Sequence, residues 1–351
     1  MRTYIAKRIG ISVIILFCVT FIIYGLMRSL PSSYVETMAM QLSQAPGAKP
    51  YDEWLAQLNA QYGLDLPMPI GYITWLGDFL TGNFGDSWKF NVPVLTEFYN
   101  TIGISFAMGG LAFVFSTVIA VPLGILAATH QYSKGDYIIS AVALAGISLP
   151  TFFFATLLKL VFSVGLGWFD LYGLMGRDYA QLDAIGQMID IVKHMVMPVV
   201  TLTVIQIGSL MRYTRTNMLE VLNADYIRTA RTKGLPEHKV IYKHAFRNTL
   251  IPLVTMVGGS LPGLFSGALI TETLFAIPGI GWSLPGLFSG ALITETLFMI
   301  PGTGYTSYQA MTAGDIPYTM FFLTFIAIIT LLSNLLTDIL YAVVDPRVRI
   351  S

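Results

Sequence analysis

The chemically richest part of this 351-residue chain lies between Asp225 and Pro252, in the stretch DYIRTARTKGLPEHKVIYKHAFRNTLIP. It holds six Lys/Arg and two His residues, although only 11% of the whole chain is charged. Such a stretch does not lie in lipid. Three interpretations fit it: charge that orients a membrane protein, a basic amphipathic helix that binds anionic lipid, or a docking surface for a cytoplasmic protein.

The spacing within this loop predicts a helix, an elbow and a second helix. Apolar or small residues recur every three or four positions, at Leu219, Leu222, Tyr226 and Ala230. Gly234 supplies the positive φ that ends many helices, and Pro236 with Glu237 is typical of a new helix, here 236–248. The short side chain of Ala230 favours docking, because it would let a partner approach closely.

Other reactive residues are few. Cys18 is the single cysteine, which excludes a disulfide within the chain and a cysteine-based metal site. His238 and His244 are six residues apart, which is not the spacing that places two ligands on one helix face. No G-x-x-x-x-G-K-[ST] stretch occurs, so the chain itself is not expected to cradle ATP phosphates, and no cofactor is predicted for it.

These residues must be positioned by a membrane bundle, because 54% of the chain is apolar and its mean hydropathy is +0.66. About 20 consecutive apolar residues cross a bilayer as a helix. Six such runs are predicted, at Ile9–Met27, Phe98–Thr129, Tyr137–Trp168, Met195–Met211, Thr249–Ile270 and Ile316–Thr337. The predicted fold class is therefore all-α, a polytopic membrane protein with about six transmembrane helices.

The distribution of basic residues predicts the orientation. With a cytoplasmic N-terminus, 14 of the 20 Lys/Arg fall on the cytoplasmic side, eight of them between Arg212 and Arg247. The even number of spans returns the C-terminal DPRVRI to the same side. The first apolar run is expected to be retained, because it is long for a signal peptide and no small-x-small cleavage site follows it.

These predictions divide the chain into three regions. They are residues 1–30 with the first span, an extracytoplasmic segment at 31–97, and the core at 98–351 with a cytoplasmic loop at 216–247. The aromatic extracytoplasmic segment suits packing at the membrane interface or contact with an external partner. Lys159, inside the third predicted span, would cost about 2.5–3.5 kcal/mol at mid-bilayer. It either extends to the headgroups or lies on a solute pathway.

A tandem repeat follows the fifth span. The 23-residue units Ser260–Trp282 and Ser283–Tyr305 differ at three positions. An extra span would move the basic C-terminus to the other side of the membrane, so the second unit is expected to be a re-entrant or external segment. The repeat has no functional interpretation from sequence.

Several short stretches, in order, carry a family resemblance over essentially the whole chain. They are YIAKRI, GLDLPMPIGYITWLGDFLTGNFGDSW, VPLGILAA, GISLPTFF, the loop with Ala230 and Gly234 followed by KHAFRNTLIP, SGALITETLF with IPG, and the terminal DPR. Together they resemble the B-type permease subunits of oligopeptide, dipeptide and nickel ABC importers. That resemblance implies a type I importer-like permease fold, in the cell membrane.

The resemblance also implies roles and partners. The expected ATPase-coupling residues are Asp225, Tyr226, Arg228, Thr229, Ala230, Gly234 and Leu235. Candidates for the pathway or gate are Lys159, Glu272 and Glu295. Partners would be a second homologous permease chain, one or two ATP-binding subunits that use the ATP, an extracytoplasmic peptide-binding protein and membrane lipid, with no nucleic acid. Peptides are the expected cargo; a nickel chelate, or a self-sufficient secondary transporter, is the alternative.

Three features depart from the family pattern. Arg228, Thr229 and Ala230 stand where the generic motif has Glu-Ala-Ala, and the stretch after Gly234 is longer than usual before its proline. The 23-residue repeat stands where one copy is expected. The repeat leaves the geometry of the external gate open.

Overall fold

The computed structural model describes residues 2–29, 34–44, 48–61, 63–260 and 297–344. Eleven α-helices precede residue 261: α1 Arg2–Arg28, α2 Tyr34–Ser43, α3 Tyr51–Gln61, α4 Met68–Leu80, α5 Val94–Thr129, α6 Lys134–Ser148, α7 Thr151–Leu158, α8 Ala184–Leu222, α9 Asp225–Thr232, α10 Glu237–Lys239 and α11 Arg247–Ser260. Two follow residue 296: α12 Thr303–Thr312 and α13 Ile316–Val344. These ranges contain no strand beyond an isolated bridge, so the all-α prediction is confirmed.

Four helices of the described ranges are long and apolar enough to cross a membrane: Ala6–Arg28, Val94–Thr129, Ala184–Leu222 and Ile316–Thr337. The chain is therefore a multi-pass membrane protein. These helices agree with the first, second, fourth and sixth predicted spans. The fifth, Thr249–Ile270, is described only as far as Ser260, within α11.

The span predicted at Tyr137–Trp168 is broken in the structure. α6 stops at Ser148, and the next helical stretch, Phe153–Gly165, is turned by 102° from it. The cause is Pro150, because proline disfavours the α conformation of the residue before it, here Leu149 with ψ 123°. The second stretch consists of α7 and a π-helix, Lys159–Gly165.

The bundle is organised around the contact of α5 with α8. At Gly124 a Cβ would lie 2.7 Å from the Cβ of Thr214 and 2.9 Å from the carbonyl oxygen of Met211. The two helices therefore approach as closely as their backbones allow, which small residues make possible in membrane bundles. Pro122 in α5 and Pro198 in α8 lie within these helices.

The described residues of the segment 31–97 pack on the end of the bundle that lies away from α9, called here the opposite end. The ring of Tyr72 in α4 is buried between α1 side chains, and its hydroxyl lies 2.8 Å from that of Thr20. Arg28 donates hydrogen bonds to the carbonyl oxygens of Leu64 and Leu66. Packing within the chain is therefore one role of this segment.

A buried carboxylate joins this segment to the last span. Asp315, just before α13, is fully buried and accepts hydrogen bonds from the Ser87 hydroxyl, from the Lys89 backbone N–H at 3.0 Å and from the Tyr318 backbone N–H at 3.1 Å. It caps α13 and holds the turn around Trp88 at the same time. No sequence pattern had indicated this link.

Part of the predicted architecture lies outside the described residues. This applies to Glu272 and Glu295, to nearly all of the tandem repeat and to the C-terminal DPRVRI. The described chain resumes at Leu297 and continues through a turn into α12.

Candidate docking site at the basic end

The candidate docking site is built on α9. It lies at the end of the bundle that carries the basic stretch Asp225–Pro252, called here the basic end. α8 stops at Leu222, and α9 begins at Asp225 after the break at Asn223 and Ala224. Asp225 lies in the first turn, where a negative charge is favoured by the helix dipole. One continuous apolar helix face through this region was predicted; the structure has two helices instead.

The inner face of α9 packs on the chain itself. Ile227 and Ala230 are buried. They belong to a cluster with Ile125, Ala128, Met218, Leu222, Val240 and Ala245. The small side chain of Ala230 therefore lets α9 lie close to its own bundle. The structure thus gives Ala230 a reason to be small that differs from close approach by a partner.

The outer face of α9 is polar and exposed. Tyr226, placed on the apolar face by the sequence pattern, is 48% exposed, and Ile227 takes the buried position instead. Arg228 and Thr229 are also exposed, and the Arg228 guanidinium lies 3.8 Å from the Asp225 carboxylate. This face presents a tyrosine and an arginine, two residue types that are enriched at protein–protein interfaces.

The elbow after α9 is formed as predicted. Gly234 has φ +75°, and its N–H donates to the Arg231 carbonyl oxygen at 2.9 Å. Leu235 is half-buried against the α9 cluster. Arg231 and Glu237 form an ion pair of 2.7 Å across the elbow. Both side chains are exposed, so this pair contributes about 0–1 kcal/mol.

The second helix of the loop differs from its prediction in length. Pro236 caps α10, which continues through a π-helix, Val240–Phe246, directly into α11. The predicted helix 236–248 is therefore the first part of a longer one. Val240 and Ala245 anchor it under α9, so that the loop and the span that follows are one rigid connection.

Beneath the loop lies an ion pair that the sequence reading had missed. Arg215 of α8 donates to both carboxylate oxygens of Asp136 in α6, at 2.7 and 2.8 Å. Asp136 is 3% exposed. The available signal was that both charges lie at the margins of predicted spans, but nothing in the sequence pairs them.

The side chain of Lys159 is held inside the protein. It is buried in the π-helix, donates to the carbonyl oxygen of Leu297, and its Nζ lies 3.9 Å from the centre of the Tyr172 ring. These internal contacts, and not snorkelling, account for the lysine in the structure. The lysine ties the broken span to the segment that precedes α12, and its role on a solute pathway stays a prediction.

An open cavity of about 670 Å³ lies at the opposite end, between α1, α4 and the turn at 83–91. Aromatic and charged residues line it, among them Tyr24, Arg28, Trp75, Asp78, Asp86 and Trp88. Within the described residues no group of three or more His, Cys, Asp or Glu side chains is arranged to hold a metal ion.

The described chain is thus a multi-helix membrane bundle that presents a short helix, α9, with an exposed polar face beside the Gly234 elbow. Residues 120–285 and 277–350 match the profile of the binding-protein-dependent transport system inner membrane component family. The chain belongs to that family. The two matches overlap within the tandem repeat, and the predicted resemblance is confirmed.

The curated relatives extend over the full length of the chain. It is 32% identical to the oligopeptide transport system permease protein AppB of Bacillus subtilis, over 99% of this chain and 100% of that protein. It is 32% identical to the dipeptide transport system permease protein DppB of Escherichia coli K12, over 99% of each chain. Identity to the di/tripeptide transport system permease protein DppB of Pseudomonas aeruginosa is 31%, again over 99% of each.

A solved structure of the MetNI methionine ABC transporter, in an inward-facing conformation, is also similar. The match covers 72% of this chain and 98% of that chain, with a TM-score of 0.45 and 17% identity.

Proposed function

We propose that the chain is the permease subunit that forms half of the translocation pathway of an ATP-driven peptide importer. Family membership and the names of the relatives, which are oligopeptide and dipeptide permeases, support peptides as the cargo. The observation that carries the mechanism is the division of α9 into a face buried on its own bundle and a face open to a partner.

In this proposal α9 docks on an ATP-binding subunit through its outer face. Tyr226, Arg228 and Thr229 make the contact, with Asp225 at the helix start. Ala230 and Leu235 hold α9 against the bundle, and Gly234 sets its angle. ATP binding by the partner then moves α9, and the bundle alternates between two states that nucleotide and binding protein favour differently.

The proposal also includes the remaining parts of the assembly. A second, homologous permease chain completes the pathway, and one or two ATP-binding subunits bind on the cytoplasmic side, where both termini of this chain lie. The peptide-binding protein approaches the opposite end, where the segment 31–97 presents the cavity between α1 and α4. ATP is consumed by the partner subunits.

The test is co-purification in mild detergent, with mass spectrometry of the proteins that remain bound. The wild-type chain is expected to retain a second permease and ATP-binding subunits. Tyr226→Ala, on the outer face of α9, should lose the ATP-binding subunits and retain the second permease. Tyr99→Ala is the matched control, because Tyr99 is an exposed tyrosine outside α9 and the Gly234 elbow, which together are called the docking loop.

Two results would contradict the proposal. One is a wild-type chain that purifies alone and moves peptide across vesicles without ATP, as a secondary transporter does. The other is a Tyr226→Ala chain that retains its ATP-binding subunits as fully as the Tyr99→Ala control, which would place the docking face elsewhere.

A further inference from the structure

The helices α6 and α8 touch through their backbones. A Cβ at Gly208 in α8 would lie 2.7 Å from the carbonyl oxygen of Ala143, and one at Gly146 in α6 would lie 3.4 Å from the carbonyl oxygen of Val204. The Cβ position at Gly208 would also lie 2.8 Å from the Ile147 side chain and 3.2 Å from the Ile147 backbone nitrogen. The relative position of the two helices is therefore fixed by main-chain contact, which transmits displacement directly because packed interiors compress little.

The same two helices are joined again nearer the basic end by Asp136 and Arg215. One carboxylate oxygen of Asp136 accepts from Arg215 Nε and from the Ser140 hydroxyl, the latter at 3.2 Å. The other accepts from Arg215 Nη2 and from the Tyr132 backbone N–H at 3.0 Å. Each oxygen thus has two donors, and the carboxylate is held in one orientation.

Stability alone does not account for this pair, in which Asp136 is buried and the Arg215 side chain is 25% exposed. A buried ion pair pays a desolvation cost that its attraction often only offsets, and apolar residues of similar volume can replace such pairs without loss. A two-pronged guanidinium–carboxylate contact does fix geometry, because both hydrogen bonds require one relative placement of the two helices. Its position also matters: Arg215 lies ten residues before Asp225, where α9 begins.

We propose that Asp136 and Arg215 are positioning residues that make α6 and α8 one lever between the docking loop and the broken span. This inference rests on the proposed function. The contacts from Val204 to Arg215 extend over eleven residues, about 16 Å of helix. A displacement of α9 is thereby passed through α8 to α6, and from α6 to the 102° break before α7.

Beyond the break, the lever reaches the segment that precedes α12. α7 continues into the π-helix with Lys159, which is bonded to the carbonyl oxygen of Leu297. Without the Asp136–Arg215 pair, α9 would still dock and the partner would still hydrolyse ATP. Part of that movement would then be lost between α8 and α6, and fewer peptides would be carried per ATP.

The experiment uses the full complex in liposomes: this chain, the second permease, the ATP-binding subunits and the binding protein. Uptake of a mixture of radiolabelled alanine peptides and hydrolysis of ATP are measured in the same samples. Asp136→Asn is expected to assemble and to hydrolyse ATP, with the ratio of peptide taken up to ATP hydrolysed reduced about fivefold or more. Arg212→Gln, an exposed residue one turn before Arg215, is the control and should keep the wild-type ratio.

Arg215→Lys provides a second variant that preserves the charge but not the two-pronged contact. It should also lower the ratio, and it decides the matter if Asp136→Asn does not assemble. An unchanged ratio in assembled Asp136→Asn, or in Arg215→Lys when Asp136→Asn fails to assemble, would overturn the lever. A wild-type complex without ATP-driven peptide uptake would instead contradict the proposed function. The inference about Asp136 and Arg215, which rests on that function, would then be rejected as well.

Discussion

At the scale of single residues, the chain places a few polar groups where they fix geometry. Gly234 sets the angle of the docking loop through its backbone alone, since no heavy atom lies within 4 Å of where its Cβ would be. Asp315 joins the segment 31–97 to α13, and Lys159 joins the broken span to the segment before α12. Asp315 and Lys159 each connect parts of the chain that are distant in sequence, whereas Gly234 acts locally.

Replacement of Gly234 tests the elbow. Because surrounding space is open, only the positive φ opposes a side chain, and a β-branched residue there costs about 1–2 kcal/mol locally. Gly234→Val should abolish uptake while the chain still inserts in the membrane. Gly234→Asn is the control, because asparagine tolerates this conformation, and it should retain most uptake. Normal uptake by the valine variant, measured with radiolabelled peptide, would refute the role of the elbow.

Asp315 makes stability depend on pH. Burial raises the pKa of its carboxyl above the ordinary 3.8, and the hydrogen bonds from Ser87, Lys89 and Tyr318 only partly oppose that rise. The folded state therefore binds this proton more tightly than the unfolded state does. Its stability must fall as the pH rises from near 3.8 through the raised value.

The measurement is the thermal midpoint of the detergent-purified chain at several values from about pH 4 to pH 7. The thermal midpoint of the wild type, relative to that of Asp315→Asn, should fall as the pH rises, because the amide does not titrate. Parallel profiles for the two chains would show that the carboxyl does not titrate differently on folding.

At the scale of elements, close approach of helices determines the bundle. α8 contacts α5 at Gly124 and α6 at Gly208, in both cases against a neighbouring backbone. It also carries α9 at its end, so the longest helix of the described chain connects the core with the docking loop. The position of α9 thus depends on residues far from it in sequence.

Gly124 and Gly110 form a matched pair in α5. A Cβ at Gly124 would lie 2.7 Å from Thr214, whereas at Gly110 it would meet no heavy atom within 4 Å. Gly124→Ala should therefore destabilise the chain by about 1–3 kcal/mol through overpacking. Gly110→Ala should be neutral or slightly stabilising, because alanine favours the helix. Thermal midpoints in detergent compare the two, and equal midpoints would argue against the tight α5–α8 contact.

At the scale of the whole molecule, the two ends of the bundle differ in charge and in the structures that they carry. The basic end carries α9 and its elbow. The opposite end carries the segment 31–97, which contains seven Asp/Glu and two Lys/Arg residues, and the cavity against α1. This polarity agrees with the proposed docking of an ATP-binding subunit at the basic end and of a binding protein at the opposite end.

The proposed orientation is tested by labelling. In a Cys18→Ser background, a cysteine at exposed Thr232 should react with a membrane-impermeant maleimide only in inside-out vesicles. A cysteine at exposed Asp52 should react in right-side-out spheroplasts. The reverse pattern would place α9 outside and exclude docking to a cytoplasmic ATPase.

The amino-acid sequence by itself determined the membrane class, the spans of α1, α5, α8 and α13, and the elbow at Gly234. These depend on local chemistry: apolar length, positive φ and the distribution of charge. The family too could be recognised from ordered motifs. The helix face predicted through Tyr226 failed, because a helix period continued across Asn223 hides the break between α8 and α9.

Only the tertiary structure decided which residues meet. It turned Ala230 inwards, bent the third predicted span at Pro150 and brought Lys159 to the carbonyl of Leu297. It also paired Asp136 with Arg215, 79 positions apart. The physical reason is that a hydrogen bond or ion pair depends on distance in space, and residues far apart in sequence acquire that distance only when the helices between them have packed.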